Sequence, residues 1–79
     1  MTQPTPYRVR LMRGNHQVRP EESLFNFTLP QLITRCKQRC RADNNITHVD
    51  VYQFDGKEKL FTIDTCRAFD WQLGQYIDY

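Results

Sequence analysis

The chain has no uninterrupted apolar run longer than two residues, Leu11-Met12 and Leu32-Ile33 being typical, so no stretch of it reads as a membrane-spanning helix. Glycine is scarce, with three in 79 residues, and no Gly-rich phosphate loop or dinucleotide fingerprint occurs. The two histidines, His16 and His48, do not form an HExxH pair, which sets aside the commonest zinc-hydrolase signature. Cysteine is sparse and odd in number (Cys36, Cys40 and Cys66), which argues against a disulfide framework. Residues Met1 to Pro6 lack the apolar core of a secretory signal. Together these absences set the expectation of a reducing, cytoplasmic setting. Internal repeats and low-complexity tracts are also missing.

What is present suits one small globular domain. Apolar residues make up 39%, aromatics 13% and charged residues 25% of the chain. The net charge of +2 hides an asymmetry. Residues 1–42 hold eight Lys and Arg against two Glu, whereas residues 43–79 hold three against seven acids. Such a split points to an anionic partner or to the two halves docking on each other.

Residues 1–6 read as a polar tail, and residues 7–79 as a single α+β domain. Tyr7-Arg8-Val9-Arg10-Leu11-Met12 alternates with period two, which predicts a strand with Tyr7, Val9 and Leu11 inward and the arginines outward. Gly14-Asn15 breaks it, residues 15–23 read as a loop, and Ser23 to Phe27 as a short return strand. The clearest element is a helix from Leu29 to about Arg41. Thr28 and Gln31 have capping-box spacing, Phe27 and Leu32 match a hydrophobic staple, and Pro30 sits where its missing N–H costs nothing. Leu29, Leu32, Ile33, Cys36 and Cys40 share one stripe, with Asn44-Asn45 as the expected stop.

Ile46 to Gln53 and Lys57 to Asp64 predict a hairpin. A two-residue turn would set Val49 and Val51 on the face of Leu60 and Thr62. A three-residue loop, Phe54-Asp55-Gly56 with a left-handed Gly56 in a bulge, aligns Val49, Val51, Phe61 and Ile63 instead, and is the arrangement expected. The aromatic tail, Thr65 to Tyr79, is expected to close the edge of the core as a turn plus a short strand or helical turn. The whole predicts an antiparallel-rich sheet of three to five strands with one helix on one face. A parallel pairing of the first strand with one after the helix would call for a right-handed crossover.

Several constellations invite chemistry, and each has a plainer reading. Cys36, Cys40, Cys66 and His48 make a zinc set on paper, but two of them lie on the apolar stripe of a helix, where free cysteine behaves as a small hydrophobe. Cys66, His48 and Asp50 make a nucleophilic triad on paper, without a nucleophile elbow or oxyanion-hole motif. Cross-strand polar pairing accounts for His48, Asp50 and Asp64. No catalytic residue, metal, cofactor or small-molecule substrate is therefore expected.

The basic residues are the most informative set. Arg8, Arg10 and Arg13 lie on the first strand, and Arg35, Lys37, Arg39 and Arg41 crowd the helix with no acid in residues 23–42. Such crowding without an i,i+4 acid raises repulsion that a purely structural helix avoids. Tyr52, expected with Leu60 on the outer sheet face, adds a stacking surface. Asp50 and Asp64, on that same face, would repel phosphates. The residues expected to bind a partner are thus Arg8, Arg10, Arg13, Arg35, Lys37, Arg39, Arg41 and Tyr52.

The order of strand, capped helix with Phe-Thr-Leu-Pro-Gln-Leu-Ile, and hairpin with His-Val-Asp-Val-Tyr-Gln-Phe-Asp-Gly-Lys resembles small β-α-β-β proteins of phages and mobile elements, some anti-CRISPR proteins among them. The resemblance spans residues 7–64 and rests on architecture. It implies a non-enzymatic module that binds and blocks a host protein or nucleoprotein complex. Unlike the acidic DNA mimics among such inhibitors, the chain is slightly basic, which argues against duplex mimicry. The sequence reading is therefore a phage-type interaction module for an acidic protein or nucleoprotein. The alternative is a nucleic-acid binder using the basic helix and an aromatic sheet face.

Overall fold

In the computed structural model, which describes residues 6–53 and 55–77, one helix lies on a single antiparallel sheet. The expected tail therefore falls largely outside the described residues, as does Phe54 of the expected loop. In chain order the elements are β1 (Tyr7–Arg13), β2 (His16–Gln17), β3 (Glu22–Leu24), α1 (Leu29–Ala42), β4 (His48–Gln53), β5 (Lys59–Ile63), β6 (Ala68–Asp70) and β7 (Gln75–Ile77). The α+β class holds, but the sheet has seven strands rather than three to five. The extra strands are two or three residues long, too short to show an alternation of their own.

The spatial order is β2-β1-β4-β5-β6-β7, with β3 also paired to β1. β1 pairs antiparallel with β4, so the parallel crossover between them does not arise. The return from β1 is interrupted. β2 pairs Met12 with Gln17, whereas β3 pairs Val9 with Glu22 and Tyr7 with Leu24, which leaves two surplus residues around Arg19-Pro20-Glu21. Pro20 lacks an N–H, so a break there sacrifices little pairing. The return strand expected over 23–27 is thus shorter and starts earlier, and Phe25 is exposed. Asn26, left-handed at φ +62°, then turns the chain towards the helix.

The start of α1 follows its sequence signature. The Thr28 side chain accepts from the Gln31 N–H, and the Gln31 side chain accepts from the Thr28 N–H. Its end differs from the Asn44-Asn45 stop. Asp43, extended at φ −131°, is the cap, and its carboxylate accepts from the Asn45 N–H at 2.9 Å. Leu32, Ile33, Cys36 and Cys40 face the sheet, as the stripe requires. There they meet Val9, Leu11, Val49, Val51, Phe61, Ile63 and Ala68 in one apolar layer. Burial raises the Cys36 thiol to about 12 and the Cys40 thiol to about 11.

The central hairpin brings out the expected face by a different route. Val49 lies opposite Ile63 and Val51 opposite Phe61, and Gly56 is left-handed at φ +74°. The strands close between the Gln53 N–H and the Glu58 carbonyl, so the loop is one residue longer than expected. That extra residue alone would reverse the facing of β5. A bulge compensates, because Tyr52 pairs with Lys59 while Val51 pairs with Phe61, leaving Leu60 without an opposite number. Leu60 is consequently turned into the core, not onto the outer face.

The tail forms a hairpin, β6 and β7, joined by a turn whose Leu73 and Gln72 amides donate to Asp70. It closes the edge of the core with buried Ala68 and with Ile77 packed beside it, as expected, while Trp71, Leu73 and Tyr76 stay exposed. The helix packs chiefly over β4 and β5. The domain is accordingly drawn out to 39 Å along its longest axis against 21 Å along its shortest.

Candidate functional site

Because side chains alternate across a strand, each register row of the sheet belongs to one face. The helix side takes Leu11, Val49, Ile63, Ala68 and Ile77. On the opposite side, Arg10, Asp50, Thr62, Phe69 and Tyr76 stand side by side across five strands. The row runs from charged to aromatic. Nothing among the described elements covers this face.

Glu21, carried on the interruption between β2 and β3, holds the arginine end. Its carboxylate accepts from Arg8 at 2.9 Å and from Arg10 at 2.5 Å. The hydrogen bond from Arg10 holds the Glu21 carboxyl below its usual range, and the same bond raises the Arg10 guanidinium above its own. Arg10 also stacks over Tyr52, its guanidinium carbon 4.1 Å from the ring centroid.

Asp50 occupies the middle of the row and is only 5% exposed. A buried carboxylate needs compensation. The Thr62 hydroxyl donates to it at 2.8 Å, and Lys59 and His48 lie 3.6 and 3.7 Å away. The Thr62 hydroxyl in turn accepts from the Trp71 indole N–H at 2.8 Å. Asp50 therefore anchors Trp71 through one intermediary.

Trp71 begins the aromatic end. Phe69 meets Trp71 edge to face at 4.8 Å and Tyr76 at 5.0 Å, the arrangement that ring quadrupoles favour. The Lys59 ammonium sits 5.2 Å from the Trp71 centroid, and the Arg67 guanidinium 3.8 Å from that of Tyr76. Between the rings lies an open groove of about 320 Å³ lined by Thr62, Asp64, Phe69, Trp71 and Tyr76. Asp64 is tied down by the amides of Cys66 and Arg67, and the Arg67 side chain lies 4.0 Å from it.

The residues expected to bind a partner do not form one patch. Arg8, Arg10 and Tyr52 lie on the uncovered face, whereas Arg35, Arg39 and Arg41 belong to the helix on the other side. Much of the helical charge is used internally. Arg39 reaches Glu22 at 3.5 Å, Arg41 donates twice to the Thr65 carbonyl, and Arg35 lies over Phe27. Lys37 is buried and engaged rather than displayed. Arg13 is exposed at the end of β1. The expected repulsion among the helical cations is thus relieved by partners distant in sequence.

Sequence reasoning missed Trp71, Phe69, Tyr76, Lys59 and Arg67. The aromatic content of the tail was the available signal, but the side of the sheet it faces was not legible. The thiol of Cys66 contacts the Thr65 hydroxyl in its own turn, while His48 contacts Thr47 and Asp50. Among the described residues, no three His, Cys, Asp or Glu side chains are grouped to hold a metal ion, and no helix is long and apolar enough to cross a membrane. Compared with family models, curated proteins and solved structures, the chain finds no match.

Proposed function

We propose that the chain is a non-enzymatic interaction module that engages a macromolecular partner through the uncovered face of its sheet. The observation that carries this reading is the pair of half-exposed rings, Trp71 at 51% and Tyr76 at 55%, held in place by Phe69 and by the Thr62–Asp50 link. Tryptophan, tyrosine and arginine dominate the energetics of binding surfaces. A domain this small gains little by leaving such rings in water unless they are used. The Arg39–Glu22 pairing and the Arg41 hydrogen bonds to Thr65 engage the helix arginines internally, which argues for the sheet face over the arginine-bearing helix. A phage-type inhibitor that blocks a host complex is one form such a module takes, and it would use the same surface.

A photo-crosslinking residue placed at Tyr76, and separately at Gln38 on the exposed side of the helix, tests the reading in native host cells. Adducts from position 76 and none from position 38 are expected. Adducts from position 38 alone would reject it.

A further inference from the structure

We infer that the groove between Trp71 and Tyr76 receives an unpaired nucleobase of a single-stranded nucleic acid, with Lys59 and Arg67 placed to meet the flanking phosphates. This rests on the uncovered sheet face being the binding surface. The groove of about 320 Å³ admits one flat ring system and is too small for a folded segment. Its lining includes three aromatic rings, the kind of side chain on which bases stack in sequence-tolerant single-strand recognition.

Charge decides between occupants. Beyond the groove's lining, in which Asp64 is the one charged side chain, a cation lies over each outer ring, Lys59 over Trp71 and Arg67 over Tyr76. A lysine or arginine side chain from a partner would meet two like charges there. A strand that brings phosphates with its bases meets opposite ones. The carboxylates of the face do not reverse this. Asp50 is buried beneath Lys59, Thr62 and His48, and Asp64 is held by two amides and sits beside Arg67. Asp64 also gives the wall an acceptor for the amino group of a base edge. Further along the same face, Arg10 over Tyr52 repeats the pairing of cation and ring.

The chain has one tryptophan, so its emission reports on the groove directly. Titration with a short mixed-sequence oligonucleotide should quench Trp71, and a single strand should bind more tightly than the matching duplex. With two cations engaged, log affinity should fall against log salt with a slope of about −1.4. Tyr76→Ala should weaken binding about 5- to 150-fold, as expected for one lost stacking platform. Arg67→Glu should weaken it while leaving the far-ultraviolet spectrum unchanged, which guards against misreading a folding defect.

Absence of quenching at low salt, with crosslinking at position 76 still yielding a protein adduct, would overturn the nucleic-acid inference and leave the binding surface standing. Oligonucleotide binding that survives Tyr76→Ala but disappears on Arg39→Glu with Arg41→Glu would overturn both. Equal affinity for duplex and single strand would refute stacking.

Discussion

Glu21 offers the sharpest test of the energetics, because one carboxylate holds two guanidinium groups. Its side chain is 23% exposed, and those of Arg8 and Arg10 are 36% and 32% exposed, so solvent screens the pairs in part. Exposed pairs contribute about 0.2–1 kcal/mol each. Glu21→Gln keeps the size and an acceptor oxygen and removes only the charge, so the expected loss is about 1 kcal/mol. In a domain of this length that corresponds to a fall in Tm of about 4–8 °C. The sign of the pH dependence follows from the direction of the shift. Arg10 holds the Glu21 carboxyl below its unfolded value, so the stabilisation is present above about pH 4.3 and is lost as pH falls through the folded pKa. Arg10 stays charged throughout this range. Thermal unfolding followed by circular dichroism should therefore separate parent and variant at about pH 7, and the gap should narrow as the solution is acidified. Coincident curves at neutral pH would refute the clamp. A gap that persists in acid would show that shape, not charge, is at work.

Two further outcomes follow from buried groups. Asp50→Ala should cost about 1–3 kcal/mol in urea unfolding because Thr62 and Lys59 lose their acceptor, whereas Asp50→Asn, which keeps an oxygen, should cost less; equal losses would contradict the hydrogen-bond account. In a timed alkylation followed by mass spectrometry, exposed Cys66 should react first, while Cys36 and Cys40, buried and with thiols pushed up to about 12 and about 11, should react only on unfolding; early modification of either would contradict their burial.

Local chemistry was the legible part of this fold. The Thr28–Gln31 box starts α1 because both partners lie within one turn, and strand parity placed Val49, Val51, Phe61 and Ile63 on one face before any pairing was known. Non-local geometry was not legible. The Leu60 bulge answers a loop one residue longer than expected, and neither half of that compensation marks the sequence by itself. The arginines looked uncompensated because acids were sought within a helical turn. Glu22 is 17 residues from Arg39, and Glu21 is 13 and 11 from Arg8 and Arg10. Of the candidate surface, Arg8, Arg10 and Tyr52 were legible from alternation. The aromatic groove was not, since strands of three residues do not show which way Phe69 and Tyr76 point.

The sheet's margins carry a consequence for self-association. β7 and β3 are three residues long and β2 is two, and the seam at Pro20 splits one margin into unequal pieces. A neighbouring copy seeking to zip onto these strands would find a ladder of two or three rungs before it ran out. Such stubs are poor templates for fibril growth, and they leave encounters to the broad flank of the sheet instead of its rims.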